Sequence, residues 1–323
     1  MNTTVTVALI QHQARPNKVE TMRYLESAIA ACTDSGANLV VLQELHNTAY
    51  FCQVEDVNNF DLAESIPGPS TDFLAQQAKQ HQCVIVGSVF EKRASGIYHN
   101  TAVVLESDGT LAGRYRKMHI PDDPGFYEKF YFTPGDAEPQ ELNGFKPIET
   151  SVGKLGVMVC WDQWYPEAAR LMALAGAELL IYPTAIGWDP ADEPNEQEHQ
   201  LDAWITIQRS HAIANNLPVI ACNRTGFEAN PEAGSEAKSV NGIQFWGNSF
   251  IAGQQGEMIA TANANDEVNL IASIDLNKTE NIRRIWPYLR DRRIDAYHNL
   301  SKRYIDQNKA QSQDSGNLSQ RRQ

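Results

Sequence analysis

Cys160 lies in KLGVMVCWDQWYPEAARL, residues 154–171, at the end of a short apolar run and six residues before Pro166. A thiol on the turn between a strand and a helix sits at a sheet edge and faces the helix's unpaired N–H groups. With Pro166 in the first helical turn, that positive end would favour thiolate over thiol, the form that attacks carbon. A lone cysteine in apolar surroundings also reads as a small buried hydrophobe. Cys32, Cys83 and Cys222 take that plainer reading, and Cys52, in AYFCQ, fits either. A nucleophile needs a base and a group to receive negative charge. Glu44 closes NLVVLQE, an acid at the end of an apolar strand, where a general base would be desolvated and held. Lys117 ends TLAGRYRK and precedes the turn-rich MHIPDDPGFYEKF. Taken singly, Glu44 also reads as a solvated strand-end carboxylate and Lys117 as a surface lysine.

The elements that must position these groups alternate. TVTVALIQHQ is strand-like, KVETMRYLESAIAACTDSG has helical periodicity ending on glycine, and ANLVVLQEL is a β-branched run of the buried kind. KLGVMVC, YPEAARLMALAGA and ELLIYPTA repeat that β-α-β order, and GANLVVLQE parallels GAELLIYPT. The parallel fits related halves, or the shared composition of helix-to-strand turns. CVIVGSVFEK and IYHNTAVVLESDGTLAGRYRK read as antiparallel hairpins with a DG turn. A long helix, EQEHQLDAWITIQRSHAIANN, precedes three more strand-like runs, LPVIACNRTG, FWGNSFIAG and VNLIASIDL. A mixed sheet with helices outside is the simplest packing.

Composition narrows the function classes. The 323 residues are 42% hydrophobic and 21% charged, with no apolar run long enough to span a bilayer. No Pro/Ser-rich linker divides them, so residues 1–300 read as one domain and 301–323 as a polar tail expected to be mobile. A net charge of −13 disfavours nucleic acid and anionic membranes and favours a cationic ligand. Five cysteines, odd in number, widely spaced and without CxxC, suit a reducing compartment. The opening MNTTVTVALIQHQ shows no basic leader, so the expected location is cytoplasmic. There is no HExxH, paired cysteine or clustered histidine to suggest a metal, and no phosphate-binding glycine loop, so no cofactor is expected. His119 and His211 read as structural.

Three segments together, LVVLQEL with Glu44, GRYRKMHIP with Lys117 and GVMVCWDQWYPEAAR with Cys160, resemble in order and spacing the signatures of the nitrilase, or carbon-nitrogen hydrolase, superfamily. The resemblance runs nearly the whole chain, to about Tyr297. Finer features, YFCQ, GFYEKFYFTPGD, YPTAIGW, FWGNSFIAG and WPYLRDRRIDAY, are most similar to the N-carbamoylputrescine amidohydrolases of that superfamily, which release putrescine in the agmatine route to polyamines. The resemblance implies a four-layer α-β-β-α sandwich. It further implies Cys160 as nucleophile, Glu44 as general base, Lys117 as cationic stabiliser and Glu128 as an additional glutamate that holds the lysine or the substrate. The backbone N–H of Trp161 would join Lys117 at the oxyanion.

The far end of a putrescine-like substrate carries an amine that a pocket must meet with carboxylates or aromatic faces. GWDPADEPNEQE offers Trp188, Asp189, Asp192, Glu193 and Glu196, which serve equally as an acidic helix start. Trp188 and Asp189, with Tyr50 and Tyr165 beside Glu44 and Cys160, are the candidate substrate-binding residues. Anionic carbamoyl amino acids would need a basic clamp, for which Arg209 and Arg224 are available. A β-ureidopropionase, a carbamoyl amino acid amidase or an aliphatic amidase would use the same three reactive groups, and a catalytically silent interaction module would keep only the fold. NIRRIWPYLRDRRIDAYHNLSKRY mixes aromatic and arginine residues as interfaces do. Since superfamily members form homo-oligomers, the resemblance favours an interface there.

Overall fold

The computed structural model describes residues 4–137, 144–232 and 241–305. The chain begins β1 (Thr4–Gln11), α1 (Lys18–Asp34), β2 (Leu39–Leu42), α2 (Pro69–His81), β3 (Val84–Ala94), β4 (Ile97–Leu105) and β5 (Leu111–Arg116). Next come α3 (Glu128–Tyr131), β6 (Ile148–Thr150), β7 (Gly153–Val157), α4 (Pro166–Leu174), β8 (Leu179–Thr184) and β9 (Gly187–Trp188). The remainder is α5 (Pro194–Asn215), β10 (Val219–Asn223), β11 (Thr225–Ala229), β12 (Gly242–Trp246), β13 (Phe250–Ala252), β14 (Met258–Thr261), β15 (Val268–Asp275) and α6 (Asn277–Ile285).

Two six-stranded sheets form, ordered β15-β1-β2-β3-β4-β5 and β14-β13-β10-β8-β7-β6, with a small third sheet β11-β12-β9. In the first sheet β1, β2 and β3 are mutually parallel, and hairpins close the edge at β4 and β5. Alternation along the strands explains the layers. Val7 and Leu9 of β1, with Leu39 and Val41 of β2, pack into one core with Leu155, Val157, Leu179 and Ile181 of the second sheet. The intervening Ala8, Ile10, Val40 and Leu42 face the other way, onto Leu25 and Ile29 of α1 and Leu74 of α2. Both faces are buried, which is why these strands read as unbroken apolar runs. With α4 and α5 on the outer side of the second sheet, the molecule is the α-β-β-α sandwich that the resemblance implies.

The two β-α-β units, β1-α1-β2 and β7-α4-β8, share more than a phrase. Gly36 and Gly176 end their helices at φ +91° and +94°, each with open space where a Cβ would stand. Only the left-handed backbone calls for glycine there. Ala37 N–H donates to Cys32 and Ala177 N–H to Met172, so both turns close with the same bond. The side chains of Asn38 and Glu178 then each accept from a backbone N–H of the preceding strand, Thr6 and Lys154.

FWGNSFIAG, which reads as one strand, is two. Gly247 and Asn248 take φ +55° and +50°, and the chain leaves β12 in the small sheet to enter β13 in the second large one. Among the described residues no helix is long and apolar enough to cross a membrane. Chain contacts separate a unit ending at Trp286 from one starting at Pro287. In the latter, the described residues form turns with a short 3-10 turn at Ile294–Ala296, where Arg293 pairs with Asp295 at 2.7 Å. Most of the polar tail, from residue 306 on, lies outside the described residues.

Candidate active site

The C-terminal ends of strands from both sheets meet at one place. Glu44 stands two residues beyond β2, and its N–H points at the carbonyl of Thr184 at the end of β8, 3.4 Å away. These are equivalent positions of the two parallel phrases. The Glu44 carboxylate is fully buried and takes three donors: Asn100 Nδ2 at 2.6 Å and Lys117 Nζ at 2.7 Å on Oε1, and the Ala185 N–H at 2.9 Å on Oε2. Lys117, immediately beyond β5, also donates to Glu128 Oε2 at 2.6 Å. Glu128 opens α3 and accepts the Tyr50 hydroxyl on its other oxygen at 2.8 Å.

Cys160 enters from the second sheet. Beyond β7 the chain turns at Cys160 itself, at φ +42°, into a 3-10 turn, Cys160–Trp164. The left-handed conformation costs a non-glycine residue about 1 kcal/mol or more and is kept where surrounding contacts over-determine it. Asp162 supplies them. Its buried carboxylate accepts from the Val159 N–H at 3.0 Å, the Tyr115 hydroxyl at 2.8 Å and the His119 N–H at 3.0 Å, with His119 Nδ1 at 2.7 Å. His211 Nε2 lies 2.7 Å from the Gln163 carbonyl, so both histidines read as structural brace this turn. Cys160 Sγ lies 4.0 Å from the Ala185 carbonyl oxygen, whose residue also binds Glu44. Trp161 is the second residue of the turn, where an N–H has no partner inside the turn.

The electrostatics correct one expectation. Pro166 does open α4, but the 3-10 turn separates Cys160 from the helix. Burial pushes the Cys160 thiol well above its ordinary pKa; Glu44 adds to this and Lys117 opposes it. Burial thus favours the neutral thiol over the thiolate. Desolvation works against the Lys117 ammonium, yet Glu128 and Glu44 together outweigh it and hold its pKa well above the usual value. Glu128 is raised to about 7, chiefly by burial and further by Glu44, with Lys117 pulling the other way.

Cys160 and Glu128 line a cavity of about 510 Å³. Trp161, Trp164, Trp188 and Trp246 supply indole faces, and Asp123, Asp189 and Asp192 supply carboxylates. Of the candidate substrate residues, Trp188 and Asp189 are thus brought to the thiol. Tyr50 is not: its ring is buried and its hydroxyl is spent on Glu128. Tyr165 stacks on His119 at 3.7 Å, interplanar angle 7°, and is not among the lining residues. The acidic loop divides, since Glu193 and Glu196 belong to the start of α5. Arg209 donates to the Gly256 carbonyl and Arg224 is buried among carbonyls and Glu228, so neither lines the cavity. A larger cavity, about 820 Å³, is lined by Tyr50 and Glu228 but by none of Cys160, Glu44 or Lys117, so the smaller one is the candidate substrate cavity.

Sequence reasoning missed Asn100, Asp162 and Trp246. Asn100 sits inside β4 and Asp162 two residues after Cys160, and a polar side chain buried in a strand or beside a nucleophile is a signal of its own.

Fold and site define a class: a two-sheet α/β protein carrying a buried Glu–Lys–Glu cluster and a thiol where the ends of both sheets meet. The carbon-nitrogen hydrolase family matches residues 6–284, and the chain belongs to that family, within the nitrilase superfamily. It is 40% identical over 297 residues to an N-carbamoylputrescine amidase of Solanum lycopersicum, covering 92% of this chain and 94% of that one. It is 37% identical over 301 residues to a citrullinase of Francisella tularensis, covering 93% and 99%. A crystal structure of a carbon-nitrogen hydrolase from Helicobacter pylori superposes with a TM-score of 0.88 at 53% identity, covering 94% of this chain and all of that one.

Proposed function

We propose that the protein hydrolyses N-carbamoylputrescine to putrescine, ammonia and carbon dioxide through a covalent thiocarbamate on Cys160. The observation that carries this reading is the wall of the cavity beside the thiol: indoles and aspartates, with no basic side chain among the described lining residues. A primary ammonium is met by both carboxylates and indole faces. An anionic far end would lack a partner there. The amidase relatives support the same substrate.

A ureido carbon is a weak electrophile, so attack needs a thiolate formed as it is used. Glu44 removes the Sγ proton while sulfur bonds to the carbon, a role suited to its second oxygen beside Ala185. Lys117, held cationic by two carboxylates, and the Trp161 N–H receive the oxyanion; one such donor is worth about 10²–10³ in rate. Collapse breaks one C–N bond, and the proton on Glu44 goes to the departing nitrogen. Water, deprotonated by Glu44, then cleaves the thiocarbamate, the proton returns from Glu44 to the departing sulfur, and the carbamic acid released loses carbon dioxide. Either nitrogen can leave first with the same final products. Glu128 and Tyr50 hold Lys117 in place. No cofactor enters these steps.

We place the reaction in the cytoplasm of a homo-oligomeric protein that binds neither nucleic acid nor membrane. The net charge of −13 supports the absence of polyanion binding, and the exposed Ile285 at the end of α6 supports assembly. Residues 1–300 act as the hydrolase domain. The test is ammonia and amine release from N-carbamoylputrescine beside citrulline, β-ureidopropionate and an aliphatic amide, with Cys160→Ala as control. Selective turnover of the cationic substrate is expected. Preference for citrulline or β-ureidopropionate would overturn the substrate, and no turnover of any would favour a silent module.

A further inference from the structure

The base stands on strained backbone. Leu45, the residue after Glu44, has φ +47°, a left-handed conformation that glycine, not leucine, adopts freely. Its N–H is taken by Ser88 Oγ at 3.1 Å. Its carbonyl is taken by Arg224 Nη2 at 2.9 Å, which also reaches the Glu44 carbonyl at 3.2 Å. The other guanidinium nitrogen, Nη1, donates to the Thr48 carbonyl at 2.9 Å and to Glu228 Oε1 at 2.6 Å. Glu228 accepts the Tyr50 N–H at 2.6 Å on its second oxygen. One planar cation therefore grips three carbonyls of residues 44–48, and its counter-ion fixes the end of the same loop. Arg224 is fully buried beyond the end of β10, a strand of the opposite sheet.

The contacts close a ring. Glu44 binds Lys117, Lys117 binds Glu128, Glu128 binds the Tyr50 hydroxyl, the Tyr50 N–H binds Glu228, Glu228 binds Arg224, and Arg224 returns to the Glu44 carbonyl. Neither Arg224 nor Glu228 lines the cavity that holds Cys160. A role for them in the reaction must pass along the ring, either directly to Glu44 through its carbonyl or the longer way through Tyr50 and Glu128 to Lys117.

We propose that Arg224, oriented by Glu228, is a positioning residue for Glu44: it holds the left-handed turn at Leu45 and so fixes the carboxylate against the thiol. The proposal rests on the reading of Glu44 as the base of the reaction above. A lysine cannot reproduce it, because one ammonium does not present a fork of coplanar donors to adjacent carbonyls. Glu228→Gln keeps an acceptor for Tyr50 but removes the charge that orients the guanidinium.

The test is steady-state kinetics of the full chain, Arg224→Lys and Glu228→Gln, on N-carbamoylputrescine, with kcat normalised to the Cys160 thiol titrated by iodoacetamide in the native protein. Misplacement by about 1 Å costs about 10²-fold in rate. Arg224→Lys is expected to lower normalised kcat about 100-fold and Glu228→Gln about 10-fold, by that same sensitivity, with KM within about twofold. In a Glu44→Asp background, where the carboxylate is already withdrawn, Arg224→Lys should cost less than about threefold more, since groups acting as a unit are not additive. A loss confined to the titratable fraction, or the same loss in both backgrounds, overturns the proposal and leaves Arg224 a structural residue. Should Arg224→Lys not fold, Glu228→Gln decides by the same KM and kcat readout. If the wild type prefers citrulline, the substrate reading falls, and the variants test the positioning on citrulline. If it turns over nothing, both fall.

Discussion

The two β-α-β units close their helices with the same bond and the same left-handed glycine, yet they feed the site in opposite ways. The first contributes the Glu44 carboxylate from beyond its second strand, and the second contributes the Cys160 thiol from beyond its first. In the first, the left-handed residue is Leu45, next to Glu44, and a cation, Arg224, grips carbonyls. In the second, the left-handed residue is Cys160 itself, and an anion, Asp162, grips N–H groups. A turn that ends a strand in a buried place strands either carbonyls or N–H groups, and each must be met. The lesson is that likeness of scaffold fixes where strands end, while buried charges of opposite sign fix how the reactive groups are aimed there.

The comparison breaks most visibly at the reactive groups. Replacing Cys160 with alanine is expected to lower kcat about a millionfold, against about 10³-fold for Glu44→Gln, because only the first removes the atom that bonds to carbon. Equal losses in an ammonia-release assay would undo the division of roles. The anionic clamp comes next. Asp162→Ala strands four buried or half-buried donors and should cost about 3 kcal/mol in urea unfolding, with Cys160 becoming faster to alkylate. A variant as stable as the wild type would show that the turn holds itself.

A smaller effect follows pH. Glu128 binds its proton more tightly folded, at about 7, than its ordinary 4.5. A raised folded pKa contributes stability that is complete below about 4.5 and is lost as pH rises through about 7. Urea midpoints of the wild type should therefore decline over that window relative to Glu128→Gln, and parallel curves would contradict it. Smallest and most alike are the two glycines. Gly36→Ala and Gly176→Ala should each cost about 1 kcal/mol, the penalty of left-handed backbone with no clash, and leave kcat unchanged. A large difference between them would end the equivalence of the two turns.

Much of the scaffold was legible because its signals are local. Apolar runs buried on both faces gave the central strands, and the repeated glycine–alanine phrase marked two turns that prove identical in hydrogen bonding. Glu44, Lys117 and Cys160 were legible as strand-end residues and Glu128 through family likeness, and the structure joins Glu44, Lys117 and Glu128 in one buried hydrogen-bonded cluster. The division of FWGNSFIAG between two sheets was not legible, since Gly247 and Asn248 look like an ordinary strand interruption until the partner strands are known. Arg224 was available as a clamp had the substrate been anionic, and Tyr50 was a candidate substrate-binding residue. Both are instead spent within the protein.

By itself, then, the sequence determined which residue types stand at the strand ends, because chemistry and period are written along the chain. Only the tertiary structure decided that Glu44 and Ala185 share a bond across two sheets, that burial works against a thiolate at Cys160, and that the Arg224 guanidinium reaches the Glu44 carbonyl from 180 residues away. Desolvation and hydrogen bonding act between neighbours in space, and distance along the chain does not reveal those neighbours.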